Sequence, residues 1–199
     1  AISVSHPDKV YRDRTVDFFN QHIEAAVQLD CDHMVVSTGF AYLDVDAEDS
    51  FGWCAEAMGR IARKAEQEGV TLAVEPFTKY TTHICNEASQ LRRLLRTVNS
   101  PRLMGLADTD VIATTAVDTF STFLDVIGQE NLGHVHFVDG NPGGHLVPGD
   151  GVLDLDGALE KLKAIHYTGA LGLEVLDRRY VFAPEAAMKQ AMDWYKERI

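Results

Sequence analysis

Short apolar runs alternate along the chain with longer segments in which apolar residues return every three or four positions. Val16, Phe19, Ile23, Ala26 and Val27 form one such helical stripe. Cys54, Met58, Ile61 and Ala65 form a second, which stops at Gly69, a residue type suited to a helix C terminus. A third helix is expected to bury Leu91, Leu94, Leu95 and Val98, with Asn86 as its N-cap. A weaker helix carries Leu159, Leu162 and Ile165. The last opens at Pro184, where a first-turn proline is tolerated, and carries Met188, Ala191 and Tyr195. The strands expected between these helices cover residues 33–37, 71–76, 103–108, 132–139 and 169–176, with a further fragment at 1–4.

Strands joined by helices must lie parallel and be covered by those helices, so the alternation predicts either a doubly wound open sheet or a closed barrel. A closed βα barrel needs eight units in about 250 residues, whereas this chain supplies about six. No linker or shift in composition divides it, so residues 1–199 are read as a single domain, a barrel short of roughly its first two βα units. The opening Ala1-Ile-Ser-Val, which reads as a strand already under way, agrees with that expectation.

Of 199 residues, 46% are hydrophobic and 24% charged, the balance of a globular chain with a sizeable core. A formal charge of -12 repels a phosphate backbone, and no run of Lys and Arg offsets it, which argues against nucleic acid as a partner. Cys31, Cys54 and Cys85 are odd in number and lack CxxC spacing, so reduced thiols and a cytoplasmic setting are expected. No apolar stretch reaches the roughly 20 residues that cross a bilayer, and no membrane partner is expected.

The candidate chemistry sits where strands end. Segment 71–76 closes on Glu75, segment 103–108 on Asp108, and segment 132–139 offers His134 and His136 on one face. Glu174 follows Gly169-Ala-Leu-Gly-Leu173 in the same manner. In a parallel barrel all strand C termini open on one mouth, so these groups converge there. By the period of two, Leu171, Leu173 and Val175 pack under helices, while Ala170, Gly172 and Glu174 point inward, small residues leaving the acid room. His136 then lies one layer nearer the mouth than His134, which is assigned a supporting place beneath it.

Glu75, Asp108, His136 and Glu174 form a mainly oxygen donor set with one imidazole, suited to one divalent ion, Mn²⁺, Mg²⁺ or Co²⁺, with Zn²⁺ a further candidate. A lone acid at a strand end is more often an N-cap or loop residue, and a single His-x-His is as often a hydrogen-bonded pair. The convergence of four such residues on one mouth is what favours a site. Asp139, Asp150 and Asp177 are read as loop acids, and Gly140-Asn-Pro-Gly-Gly144 as a turn-rich loop. Gly149-Asp-Gly151 lacks the setting and the lysine of a phosphate loop. His22 and His166 are placed on helices away from the mouth.

Val74-Glu75-Pro76, Leu106-Ala-Asp108, Gly133-His-Val-His136, Val147-Pro-Gly-Asp-Gly151 and Leu173-Glu174, in this order, resemble the xylose-isomerase-like TIM-barrel superfamily of sugar epimerases and isomerases. The ketose 3-epimerase branch is the most similar, through Glu75-Pro76-Phe77-Thr78-Lys79-Tyr80 and Cys85-Asn86. The resemblance implies a metal held by Glu75, Asp108, His136 and Glu174, with the two glutamates as the catalytic pair. It places His145 where many relatives carry a substrate-binding arginine. Thr81 stands in place of a sugar-binding glutamate and Val111 in place of a histidine, two departures that bear on the substrate.

The expected reaction is epimerisation of a ketose or ketose derivative, by removal of a proton beside a carbonyl and its return through a metal-stabilised enediolate. The expected partner is a small sugar, and a homo-oligomer is compatible with the sequence. Three other readings share the barrel. They are an aldose-ketose isomerase on the same site, a catalytically silent sugar binder given Thr81 and Val111, and an apurinic endonuclease. The last would need more histidines and a basic face.

Overall fold

A computed structural model describes residues 3–40, 42 and 44–198. Twelve labelled elements follow one another in chain order: α1 Lys9–Gln28, β1 His33–Ser37, α2 Ala47–Glu68, β2 Thr71–Glu75, α3 Ala88–Val98, β3 Leu103–Asp108, α4 Thr109–Thr115, α5 Phe120–Ile127, β4 Leu132–His136, α6 Leu155–Ala164, β5 Leu171–Gly172 and α7 Pro184–Lys196. Single 3-10 turns occupy Gln129–Asn131 and Arg178–Tyr180.

The five strands are all parallel and lie side by side in the order in which the chain makes them, β1-β2-β3-β4-β5. A doubly wound sheet reverses its strand order at a switch point. Here the winding never reverses, so the sheet is an arc of a TIM barrel, about half of the closed ring. All strand C termini therefore face one way. A one-residue irregularity between Gly105 and Leu106 shifts the β3–β4 register and brings Asp108 opposite His136.

The helical stripes pack as their periodicity requires. Cys54, Met58, Ile61 and Ala65 are all fully buried on α2, which ends on Gly69 at φ 75°. Burying their side chains contributes on the order of 1.5–3 kcal/mol for each of the larger ones. In α1, Val16, Ile23 and Ala26 are buried, but Val27 is 45% exposed, because it stands about 100° around the helix from Ala26. Pro184 opens α7 as expected.

Several expected elements differ. The segment 132–139 pairs as a strand only to His136, because Asp139 instead exchanges two backbone hydrogen bonds with Leu146 in an antiparallel bridge. The segment 169–176 is reduced to Leu171–Gly172, which pairs with β4 alone and has no second neighbour among the described residues. Of the fragment 1–4, Ala1 and Ile2 lie outside the described residues, and Ser3 and Val4 are not in a strand. Asn86 does not cap α3. Its amide nitrogen donates to the Thr82 carbonyl at 2.7 Å, while the Ala88 N–H is satisfied from afar by Asp118 Oδ2 at 3.2 Å. His166 lies in a turn just past α6 at φ 54° rather than on a helix. Among the described residues no helix is long and apolar enough to cross a membrane.

Candidate metal centre

Glu75, Asp108 and His136 are the last residues of β2, β3 and β4, and Glu174 follows β5 by two positions. The arc thus delivers all four to one mouth. Each offers one donor atom, and the four atoms lie within 4.8 Å of one another. His136 is the hub: its Nδ1 stands 3.1 Å from Glu75 Oε1, 3.3 Å from Glu174 Oε2 and 3.4 Å from Asp108 Oδ2. The Asp108 side chain is fully buried, whereas that of Glu174 is 39% exposed and forms the open side.

Asp108 divides its carboxylate. Oδ1 accepts the N–H groups of Asp110 and Val111, both at 2.8 Å, and so caps the N terminus of α4. Oδ2 is buried and accepts no hydrogen bond within the protein. A buried carboxylate oxygen whose nearest donors are two imidazole nitrogens at 3.4 Å is poorly satisfied, and three acids around one imidazole repel each other. A divalent cation among the four atoms would satisfy both conditions, so the residues present fit a metal.

The electrostatics follow from the same crowding. Burial acts to lift the Asp108 carboxyl, but the His136 and His145 imidazoles and the Val111 N–H outweigh it and hold it at about 2. Burial disfavours the charged form of His136, yet Asp108 and Glu75 push it up to about 10. His145 is likewise pushed up to about 10, against its burial, by Asp108 and Asp110. Burial first, then the charge of Glu75, raises Glu174 above the usual carboxylate range.

The small residues of β5 make this packing feasible. A Cβ on Gly172 would stand 2.9 Å from His134 Nε2 and 3.1 Å from His136 Cδ2. Leu173 and Val175 turn the other way, onto Val147, Ala187 and Ala191 beneath α7. His134 packs edge-on against His136 with ring centroids 5.3 Å apart, and burial lowers its basicity.

His145 lies at the rim of the group. Its Nε2 is 3.4 Å from Asp108 Oδ2 and 3.6 Å from Glu174 Oε2, and its Nδ1 is 3.0 Å from Asp110 Oδ2. Asp110 is a residue that sequence reasoning missed. Its only advance signal is the Asp-Thr-Asp run at the end of β3, which is equally the signature of a helix start. Of the two departures from the resemblance, Val111 is buried in the first turn of α4, and Thr81 pairs its hydroxyl with that of Thr78 at 3.1 Å.

The three acids expected to be ordinary loop residues are engaged. Asp139 is 3% exposed and accepts four backbone N–H groups, from Gly140 and Leu153 on Oδ1 and from Gly149 and Gly151 on Oδ2. It thereby cinches the whole excursion from 139 to 153, for which Gly140 and Gly151 are the close-approach residues. Asp150 accepts from the Tyr180 hydroxyl and the Gln190 amide at 2.6 and 2.7 Å. Asp177 caps the turn Arg178–Tyr180 through the Arg179 N–H.

Known proteins share the fold. Fructoselysine 3-epimerase of Shigella flexneri is 26% identical over 191 residues, spanning 95% of this chain and 68% of that protein. The crystal structure of 3-keto-D-glucoside 4-epimerase from E. coli matches with a TM-score of 0.87 at 19% identity, over 98% of this chain and 75% of that one. D-psicose 3-epimerase, solved in the presence of D-fructose, matches with a TM-score of 0.79 at 23% identity, over 88% and 61% of the two chains. At such identities the structural likeness speaks for the fold. The sequence itself goes further, since residues 1–198 match the model of a family described as "Xylose isomerase-like TIM barrel". An arc of parallel strands wound in one sense agrees with that match, and the chain belongs to the xylose isomerase-like TIM-barrel family.

Proposed function

We propose that this chain is a divalent-metal-dependent epimerase of a ketose or ketose derivative. The observation that carries the reading is the meeting of Glu75 and Glu174 on His136 Nδ1, beside the unsatisfied Oδ2 of Asp108. Glu75, Asp108, His136 and Glu174 would hold the cation. When bound, it supplies Lewis-acid stabilisation to charge developing on sugar oxygens. The relative matched by sequence and named fructoselysine 3-epimerase supports the substrate class.

The chain's own residues then divide the proton transfers. One glutamate removes the proton from the carbon beside the carbonyl, and the electron pair left behind moves into that carbonyl. The other glutamate returns a proton to the opposite face, which inverts the centre. Glu174, raised by burial and by the charge of Glu75, keeps its proton to a higher pH than an ordinary carboxyl and is assigned the donor role in one direction. In the reverse direction the roles exchange.

Proton NMR in D₂O with a panel of ketoses and added Mn²⁺, Mg²⁺ or Co²⁺, the metal stripped before spectra are taken, tests this. Deuterium should enter at one carbon, with the epimer as product, and Glu174→Gln should suppress both. Absence of exchange in every ketose by metal-loaded protein would remove the proposal, and conversion to an aldose would replace it with the isomerase reading.

A further inference from the structure

Asp110 is fully buried two residues beyond Asp108, and its carboxylate is taken up by the loop after β4. Its Oδ1 accepts the N–H of Gly143, and its Oδ2 accepts the N–H of His145 at 3.0 Å. The same Oδ2 lies 3.0 Å from His145 Nδ1. One carboxylate therefore fixes both the backbone and the ring of His145. The backbone it fixes is unusual. His145 adopts φ 49°, a left-handed conformation uncommon for a residue with a Cβ, immediately after Gly143 and Gly144 at φ 99° and 111°. Leu176 donates to the His145 carbonyl at 3.1 Å and ties the far side of this turn to the strand end that carries Glu174. Gly140 completes the cradle, because a Cβ there would stand 1.8 Å from Asp110 Oδ1.

The outcome is a ring whose Nε2 edge touches two of the candidate ligands, Asp108 Oδ2 and Glu174 Oε2. Glu174 is the most exposed of the four and the freest to swing away. We propose that Asp110 and His145 form a single positioning unit, in which Asp110 sets the orientation of the imidazole and His145 in turn holds Asp108 and Glu174 toward the cation. Asp110 touches neither the cation nor the sugar. The proposal rests on the metal reading of the site and adds to it a residue outside the donor set. Buried partners that orient metal-site groups typically contribute 10- to 100-fold to metal affinity.

The test is Co²⁺ titration of the full chain by calorimetry and visible absorption, for wild type, Asp110→Asn, His145→Gln and the double variant, each checked for native circular dichroism. Asp110→Asn and His145→Gln should each weaken Co²⁺ binding about 10- to 100-fold at unchanged stoichiometry and alter the ligand-field spectrum. The double variant should bind no more weakly than His145→Gln alone, since Asp110 acts through that ring. Wild-type affinity and spectrum in Asp110→Asn, or losses that add in the double variant, would overturn the positioning unit while leaving the metal centre standing. Failure of the wild type to bind Co²⁺ or Mn²⁺ would overturn the metal reading and this proposal with it. Should Asp110→Asn not fold, His145→Gln, which leaves the buried acid in place, decides: wild-type affinity there overturns the unit.

Discussion

His136 turns Nδ1 toward Glu75 Oε1 at 3.1 Å, across 61 positions of sequence, and this one contact joins β4 to β2 over the intervening strand. The same nitrogen must be free of its proton to bind a metal. The neighbouring acids push His136 up to about 10, so at pH 8 it carries a proton that a cation has to displace. Metal loading at pH 8 should therefore release about one proton per site. Calorimetric titrations in two buffers of different ionisation enthalpy measure this, and a heat independent of the buffer would contradict it.

Without metal, the same groups set the pH dependence of stability. His136 and His145 are raised from the ordinary 6.5 to about 10, so their contribution is complete below about 6.5 and is lost as the pH climbs to about 10. Asp108, held at about 2, contributes above its ordinary 3.8 and loses that contribution as the pH falls toward 2. Glu174, raised, opposes folding once it ionises. Urea melts of chelator-treated protein should show greatest stability in mildly acidic solution and a decline between pH 6.5 and 10. A decline that persists unchanged with saturating metal would count against the site as its source.

Asp108→Asn and Asp108→Ala should part company. Asparagine is as good an N-cap as aspartate, so both variants lose metal affinity and the pairing of the carboxylate with the two imidazoles, but the first keeps the start of α4. Alanine removes both functions and should cost about 1 kcal/mol of stability in addition. Equal urea midpoints for the two variants would show that the cap contributes nothing.

Gly172→Ala places a methyl group against both imidazoles of β4. Because His136 is displaced and the rest of the core is untouched, metal affinity should fall on the order of tenfold, with little change in unfolding midpoint. A metal isotherm identical to wild type would refute the crowding argument.

Asp118→Ala should lower stability by about 1 kcal/mol through the lost cap on the Ala88 N–H, with metal affinity unaltered. Denaturant melts at fixed pH, read beside metal isotherms, separate the two quantities.

How much of this was legible beforehand varies with the range of the interaction. The α2 stripe was readable because burial on one face of a long helix imposes a period of 3.6, and Gly69 ended it where expected. The meeting of Glu75, Asp108, His136 and Glu174 at one mouth was readable because parallel strands share a polarity. The short helices α4 and α5 were missed, since seven or eight residues give barely two turns of periodicity. Asn86 was misjudged because a cap can come from Asp118, 32 positions away, and no local pattern records that. Asp139 reads as a loop acid, and Asp110 draws no reading at all. Their weight comes from backbone N–H groups that only the folded loop aims at them.

The fourfold grip of Asp139 on the loop after β4 has a consequence for how this protein could change. Held at its neck by one side chain, the hoop keeps its footing whatever stands at its tip, where Asn141 is exposed. At Asn141 and Pro142, outside the contacts of Asp110 with Gly143 and His145, new side chains could be tried without retuning the strand ends beneath. Variation at those two positions is thereby separated from the chemistry proposed below them.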